Sequence, residues 1–151
     1  MGASMRRLIP PVLFLLCLGL MALLCWLSPI AHMLDWPWRW LGFLPILIGL
    51  GMGAAGARQF IKQKTNLLPF KEADKLVTSG PFRFTRNPMY LGLALCLLGA
   101  SLLMGALSPV LGVVLFVVVA DRWYIRTEEQ MLRGKFSAAF DDYCVRVRRW
   151  I

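Results

Sequence analysis

Four apolar runs alternate with polar segments along this chain. The first covers roughly Leu8 to Leu27 and stops at Ser28-Pro29. The second covers roughly Trp38 to Phe60, after an aromatic cluster of Trp36, Trp38 and Trp40. The third covers roughly Met89 to Leu107, and the fourth runs from Pro109 to about Tyr124. Each approaches the length of about 20 residues that spans ~30 Å of hydrocarbon as a helix. The fourth is short, but it can continue as a helix out of the bilayer. A polar C-terminal segment, Gly134–Ile151, carries Phe136, Phe140, Tyr143 and Val147 at 4, 3, 4 spacing. That spacing predicts an amphipathic helix, lying on a bilayer or covering a site.

Composition agrees with this pattern. Of 151 residues, 58% are hydrophobic, and the mean hydropathy is +0.63. The expected fold is an all-α integral membrane protein with about four transmembrane helices and a C-terminal interfacial helix. A single membrane domain over 1–151 is expected, with two N-terminal spans in 1–60, a loop over 61–87, and a hairpin with its C-terminal helix over 88–151. Arg6 and Arg7 before the first run suggest a signal peptide. The run is longer than a usual signal core and no Ala-x-Ala site follows it, so a retained helix is expected.

The 17 Lys and Arg residues set the orientation. Arg6 and Arg7 precede the first span, and Arg39 lies between the first two. Seven lie between the second and third spans: Arg58, Lys62, Lys64, Lys71, Lys75, Arg83 and Arg86. None lies at Ser108-Pro109, and seven follow the fourth span, from Arg122 to Arg149. The positive-inside rule then places both termini and the 61–87 loop in the cytoplasm, with the tryptophan cluster at the opposite interface. The net charge of +9 is thereby assigned to the inner face of a cytoplasmic membrane, and no nucleic-acid partner is expected.

Function classes narrow accordingly. The cytoplasmic segments 61–87 and 125–151 have 27 residues each, and one βαβ unit already takes about 30. Any cofactor must therefore be held by helix ends and short segments. Cys17, Cys25, Cys96 and Cys144 show no Cys-x-x-Cys spacing. They support neither a zinc site nor a disulfide framework and read as small hydrophobes.

The chemistry concentrates at one boundary. In Arg86-Asn87-Pro88-Met89-Tyr90-Leu91-Gly92, Pro88 suits the first turn of a helix and Asn87 suits the N-cap. The third helix then starts with free N–H groups, which favour an anion such as a carboxylate. Arg86 adds a full positive charge, and Tyr90 lies about one turn away. The Ser108-Pro109 return brings Asp121 to Glu129 back beside this segment. Arg122, Arg126, Glu129 and Arg133 share a helical stripe, while Tyr124 and Glu128 share another face, with Asp121 seven residues before Glu128. Glu128 and Glu129 point about 100° apart, so one faces inward while the other pairs with Arg126 or Arg133. A ring of interfacial salt bridges with snorkelling arginines would also fit these charges. On the second span, Gly49, Gly53 and Ala57 give the small-x-x-x-small spacing of close helix packing.

These residues carry a resemblance. The Arg86–Gly92 heptad, Glu128-Glu129, Phe136, Tyr143 and Val147-Arg148-Arg149-Trp150-Ile151 resemble the isoprenylcysteine carboxyl methyltransferase family, which is related to the phospholipid N-methyltransferases. Thr65, Pro69 and Leu76–Phe82 fit the lead-in of its short bacterial members, so the resemblance covers about Thr65 to Ile151. It implies a membrane enzyme that uses S-adenosylmethionine (SAM). It implies a cofactor pocket lined by Arg86, Asn87, Pro88, Tyr90, Gly92, Glu128 and Glu129, with Glu128 and Arg149 at the chemistry. The Gly51-Met52-Gly53 segment resembles a cofactor-linked Gly-x-Gly of the phospholipid enzymes. Departures are Arg148 where relatives carry proline, Ser137 where they carry glycine, and Asn87 where the prenylcysteine enzymes carry histidine. The expected activity is methyl transfer to a lipophilic or lipid acceptor entering from the bilayer, by oxygen, sulfur or nitrogen. Two rivals are an NADPH-dependent membrane reductase and a non-catalytic membrane binding or assembly protein.

Overall fold

The computed structural model describes residues 10–28, 30–31, 34–63 and 75–151. Arg6, Arg7, Pro29, His32, Lys64, Thr65, Pro69 and Lys71 lie outside the described residues. Among the described residues the fold is helical, and no strand element occurs. Helix α1 spans Pro10–Leu27, and α2 spans Phe43–Lys62 after a 3₁₀ turn at Trp38–Gly42. A short 3₁₀ turn, Gly80–Arg83, precedes α3 at Pro88–Met104. Helix α4, Val110–Val119, passes through a π-helical turn, Ala120–Ile125, into α5, Arg126–Arg146.

The helices alternate in direction. At one end, the Leu107 N–H donates to the Ile30 carbonyl at 3.1 Å, and the Ser108 hydroxyl donates to the Leu24 carbonyl at 3.4 Å. This joins the end of α1 to the α3–α4 turn, which the left-handed Gly105 closes. The start of α1, the end of α2, the start of α3 and the π turn therefore share the other end. All the site residues below are there.

Two helical segments, Pro10–Leu27 and Trp38–Lys62, are long and apolar enough to cross a membrane, and only 22% and 17% of an apolar 18-residue stretch in each is buried. A core helix of a soluble protein would bury most of its length. These segments instead turn Leu15, Leu16, Leu23, Leu44 and Leu47 outward. Of the four expected spans, the other two are shorter as helices. Helix α3 has 17 residues and α4 has 10, and α4 gains length only by continuing through the π turn.

Helices α2 and α3 pack backbone to backbone. A Cβ added at Gly49 would overlap the Gly92 carbonyl, and one at Gly92 would meet the Gly49 carbonyl. Gly42 and Gly99 stand in the same reciprocal relation, and Gly56 abuts Met89 and Pro88. The tightest contacts recur every seven residues, at Gly42, Gly49 and Gly56, and of the expected Gly49-Gly53-Ala57 set Gly49 and the Gly53 backbone lie against Gly92. A repeat of seven follows one helix face more closely than steps of four alone. A Cβ added at Gly51 would meet nothing within 4 Å.

Helix α5 is not the straight amphipathic rod expected over Gly134–Ile151. It breaks at Ser137, with φ 41° and ψ −118°, and ends at Arg146, beyond which Val147 is extended. An ion pair of 2.8 Å joins Arg133 to Asp141 across the break. Phe140, Tyr143 and Val147 are buried as expected of the stripe, but they pack on Leu76, Leu132 and Phe136. The stripe thus folds back onto the protein.

Candidate functional site

A mostly apolar cavity of about 120 Å³ opens at the charged end of the bundle. Phe60 of α2, Val77 and Phe82 of the connecting segment, and Leu132 and Phe140 of α5 supply apolar walls. Arg86, Asn87, Pro88 and Tyr90 line it from the start of α3, and Glu128 and Glu129 from α5. The α3–α5 juxtaposition expected from the hairpin is therefore present. Gly92 and Arg149 are not among the lining residues. Gly92 faces Gly49 in the α2–α3 contact, so it serves helix packing rather than the cavity wall.

The two adjacent acids differ sharply. Glu129 accepts from Arg86 Nε at 3.2 Å and Nη2 at 2.9 Å, and from Arg149 Nε at 3.1 Å and Nη2 at 2.5 Å. Both carboxylate oxygens are occupied. Burial alone would raise its pKa, but the hydrogen bonds from Arg149 and Arg86 outweigh burial and hold it below the usual carboxylate range. Neither Arg126 nor Arg133 takes up Glu129, contrary to the stripe expectation. Arg133 pairs with Asp141, and Arg126 approaches Asp121 at 3.9 Å.

Glu128 has a different environment. Among the described residues its hydrogen bond is from the Tyr90 hydroxyl, at 2.7 Å. Tyr90 in turn stacks on Tyr124, with centroids 6.2 Å apart, so Tyr124 and Glu128 share a face as their spacing predicts. Burial pushes the Glu128 carboxyl up to about 7, against the pull of the Tyr90 hydrogen bond and helped by the Glu129 charge.

Arg86 is also occupied. Besides Glu129 it reaches the carbonyls of Cys144 at 3.2 Å and Val147 at 2.6 Å. Four of its five N–H groups are therefore engaged. Asn87 sits at the N-cap of α3 but makes no side-chain capping bond. Its Nδ2 donates instead to the Arg149 carbonyl at 3.0 Å. Thr85, buried, donates to the same carbonyl at 3.1 Å and accepts from the Asn87 N–H. The expected cap is thus redirected to the chain after α5, and the first N–H groups of α3 keep no side-chain partner.

Three further residues complete the arrangement. Asp121 accepts from Arg149 Nη1 at 3.2 Å and from the Trp150 indole at 3.1 Å. A π turn holds about one residue more than an α turn. It brings Asp121 into line with Glu129, eight residues on, instead of Glu128, seven on. The Tyr143 hydroxyl donates to the Phe82 carbonyl at 2.6 Å, fixing the second half of α5 to the Gly80–Arg83 turn. Burial pushes that hydroxyl up to about 12, so it stays a donor. No periodic signal marks a π turn in a sequence, and nothing in spacing alone joins Thr85 or Trp150 to the site.

Electrostatically, the result is a closed network and one open acid. Arg86, Arg149, Asp121 and Glu129 neutralise one another. Glu128, backed by Tyr90, is the acid left at the mostly apolar cavity.

Known proteins extend this picture. No solved structure matches the chain. An uncharacterized protein of Haemophilus influenzae is 40% identical over 63 residues, covering 42% of this chain and 100% of the relative. The family model for phospholipid methyltransferases matches residues 37–139, a range holding α2, α3, the π turn and both glutamates. This apolar helical chain, with its acid pair facing the start of α3, belongs to the phospholipid methyltransferase family.

Proposed function

We propose that the chain is a SAM-dependent membrane methyltransferase for a small lipophilic acceptor that enters from the bilayer. One observation carries this reading. Among the described residues, Glu128, held only by Tyr90, is the acid left to a ligand at a mostly apolar cavity, while Arg86, Arg149, Asp121 and Glu129 are engaged with one another. SAM carries a ribose diol, an ammonium, a carboxylate and a sulfonium. Glu128 suits the diol or the ammonium. The uncapped start of α3, at Met89 and Tyr90, suits the carboxylate. The apolar walls suit the purine. Arg86 and Glu129 become positioning residues in this reading, and so does Arg149, whose reach to the cavity runs through Glu129. Ligand pockets commonly measure roughly 300–1,000 Å³, so SAM would fill the enclosed part and extend through its open side.

When bound, SAM supplies an electrophilic methyl group. The chain's own contribution is alignment and exclusion of water. An acid beside the site favours the cationic donor over its neutral product. Glu128 and the Tyr90 hydroxyl require no metal and no protein nucleophile for that role. The acceptor can be a thiol, carboxylate, phenol or lipid amine.

NADPH suits the cavity less well, because its phosphates need free cations. The basic residues among the described lining are Arg86 and Lys75, and Arg86 is largely engaged. Calorimetric titration of detergent-purified protein with S-adenosylhomocysteine and, separately, NADPH tests the reading. Binding of the first is expected, lost in Glu128→Ala and weakened in Tyr90→Phe. Binding of NADPH alone would overturn it.

A further inference from the structure

We infer that Asp121 is a positioning residue of the site, pinning Arg149 and Trp150 so that Arg149 locks Glu129 and leaves Glu128 alone to address the ligand. The inference rests on the functional reading above.

The geometry is two-sided. One edge of the Arg149 guanidinium, Nε and Nη2, lies on Glu129 at 3.1 and 2.5 Å. Its other end, Nη1, lies between the two Asp121 oxygens at 3.2 and 3.4 Å. A guanidinium is planar with fixed donor directions, so two acids at its two sides fix its orientation. The next residue adds a third constraint. The Trp150 indole N–H reaches Asp121 at 3.1 Å, while its ring packs on the main core. Two consecutive residues of an extended segment are thus tied to one carboxylate on the π turn.

This matters because the segment has no helix of its own. Val147 is extended and α5 ends at Arg146. Its backbone is held by Arg86, Thr85 and Asn87, and its side chains by Asp121 and Glu129. The Arg149 side chain is 31% exposed, so without Asp121 water competes for the guanidinium. Glu129 would then be less completely compensated, and its charge acts on the neighbouring Glu128. Asp121 bonds Arg149, and Arg149 bonds Glu129, so the path from Asp121 to Glu128 runs through Arg149 and Glu129. The other titratable groups at the cavity are Tyr90 from α3, Lys75 and Arg86 from the connecting segment, and Tyr143 from α5.

The test is S-adenosylhomocysteine affinity as a function of pH, with thermal stability recorded alongside. Wild type is expected to gain affinity through a single limb near neutral pH. In Asp121→Asn, affinity is expected to fall roughly tenfold and the limb to move up by about one pH unit. Asp121→Glu is expected to restore the limb. Loose packing alone would weaken binding at every pH without moving it. If Asp121→Asn does not fold, Arg149→Gln must show the same upward shift. An unmoved limb in the folded variants, or wild type binding with no limb, overturns the inference. Absence of any wild-type binding overturns instead the functional reading beneath it.

Discussion

Between pH 4.5 and about 7 the Glu128 carboxyl holds a proton in the folded protein that it would release in the unfolded chain. A carboxyl raised in the fold makes the native state the better proton binder, so its contribution to stability falls as pH rises through that window. The full loss stands above pH 7 and is on the order of 2 kcal/mol, allowing for solvent screening. Glu128→Gln keeps an oxygen for the Tyr90 hydroxyl and removes the ionisation. Its melting temperature is therefore expected to exceed wild type at pH 8 and to match it near pH 4. Equal differences at both values would sink this account. Glu129 has the opposite sign. Its lowered carboxyl stabilises the fold at neutral pH, and that stabilisation is lost as pH falls into the acid range. Two neighbours with the same chemistry thus differ because one meets two arginines and the other meets a phenol and an apolar wall. Their adjacency is plain in the sequence, but their division of labour depends on Arg149, twenty residues away.

At the level of elements, the break in α5 invites a direct test. Ser137 holds φ at 41° with ψ at −118°, a region that glycine enters freely and a residue with a Cβ enters at a cost. Ser137→Gly is expected to stabilise the protein by about 0.5–1 kcal/mol, the strain relief exceeding the added freedom of the unfolded chain. Thermal denaturation in detergent reads this directly, and a lower melting temperature would refute it. The helical framework was legible from hydropathy because apolar runs of this length have few alternatives. The ends of α1, α2 and α3 follow from proline, glycine and charge. The break at Ser137 was not legible, since Phe136 to Val147 keeps helical spacing through it. Nor was the end of α5 at Arg146, because the last five residues are fixed by tertiary hydrogen bonds to Arg86, Thr85 and Asn87. The π turn escaped for a related reason. It shifts which residues align by about one position, and only the contacts of Asp121 record that shift.

For the whole molecule, charge and aromatic rings mark opposite ends. The acid–arginine network lies at the start of α3, and Trp36 and Trp40, 5.3 Å apart, lie before α2. Val145 is 88% exposed at the first end and Trp38 is 62% exposed at the second. In a background freed of the four native cysteines, Val145→Cys is expected to react with a membrane-impermeant maleimide only in inside-out vesicles. Trp38→Cys is expected to react only in intact spheroplasts. Labelling of both from one side would overturn the orientation expected from the distribution of basic residues. Between these ends runs the α2–α3 contact, and its construction bears on how the molecule can change over time. Where two side chains meet, a bulky replacement on one helix can be answered by trimming the other. Here Gly49 and Gly92 each face the other's main-chain carbonyl, and a carbonyl cannot be trimmed. A genetic screen for suppressors of a bulky residue at Gly49 should therefore return revertants rather than partners at position 92. The contact at these two glycines thus leaves this chain only the direct route back.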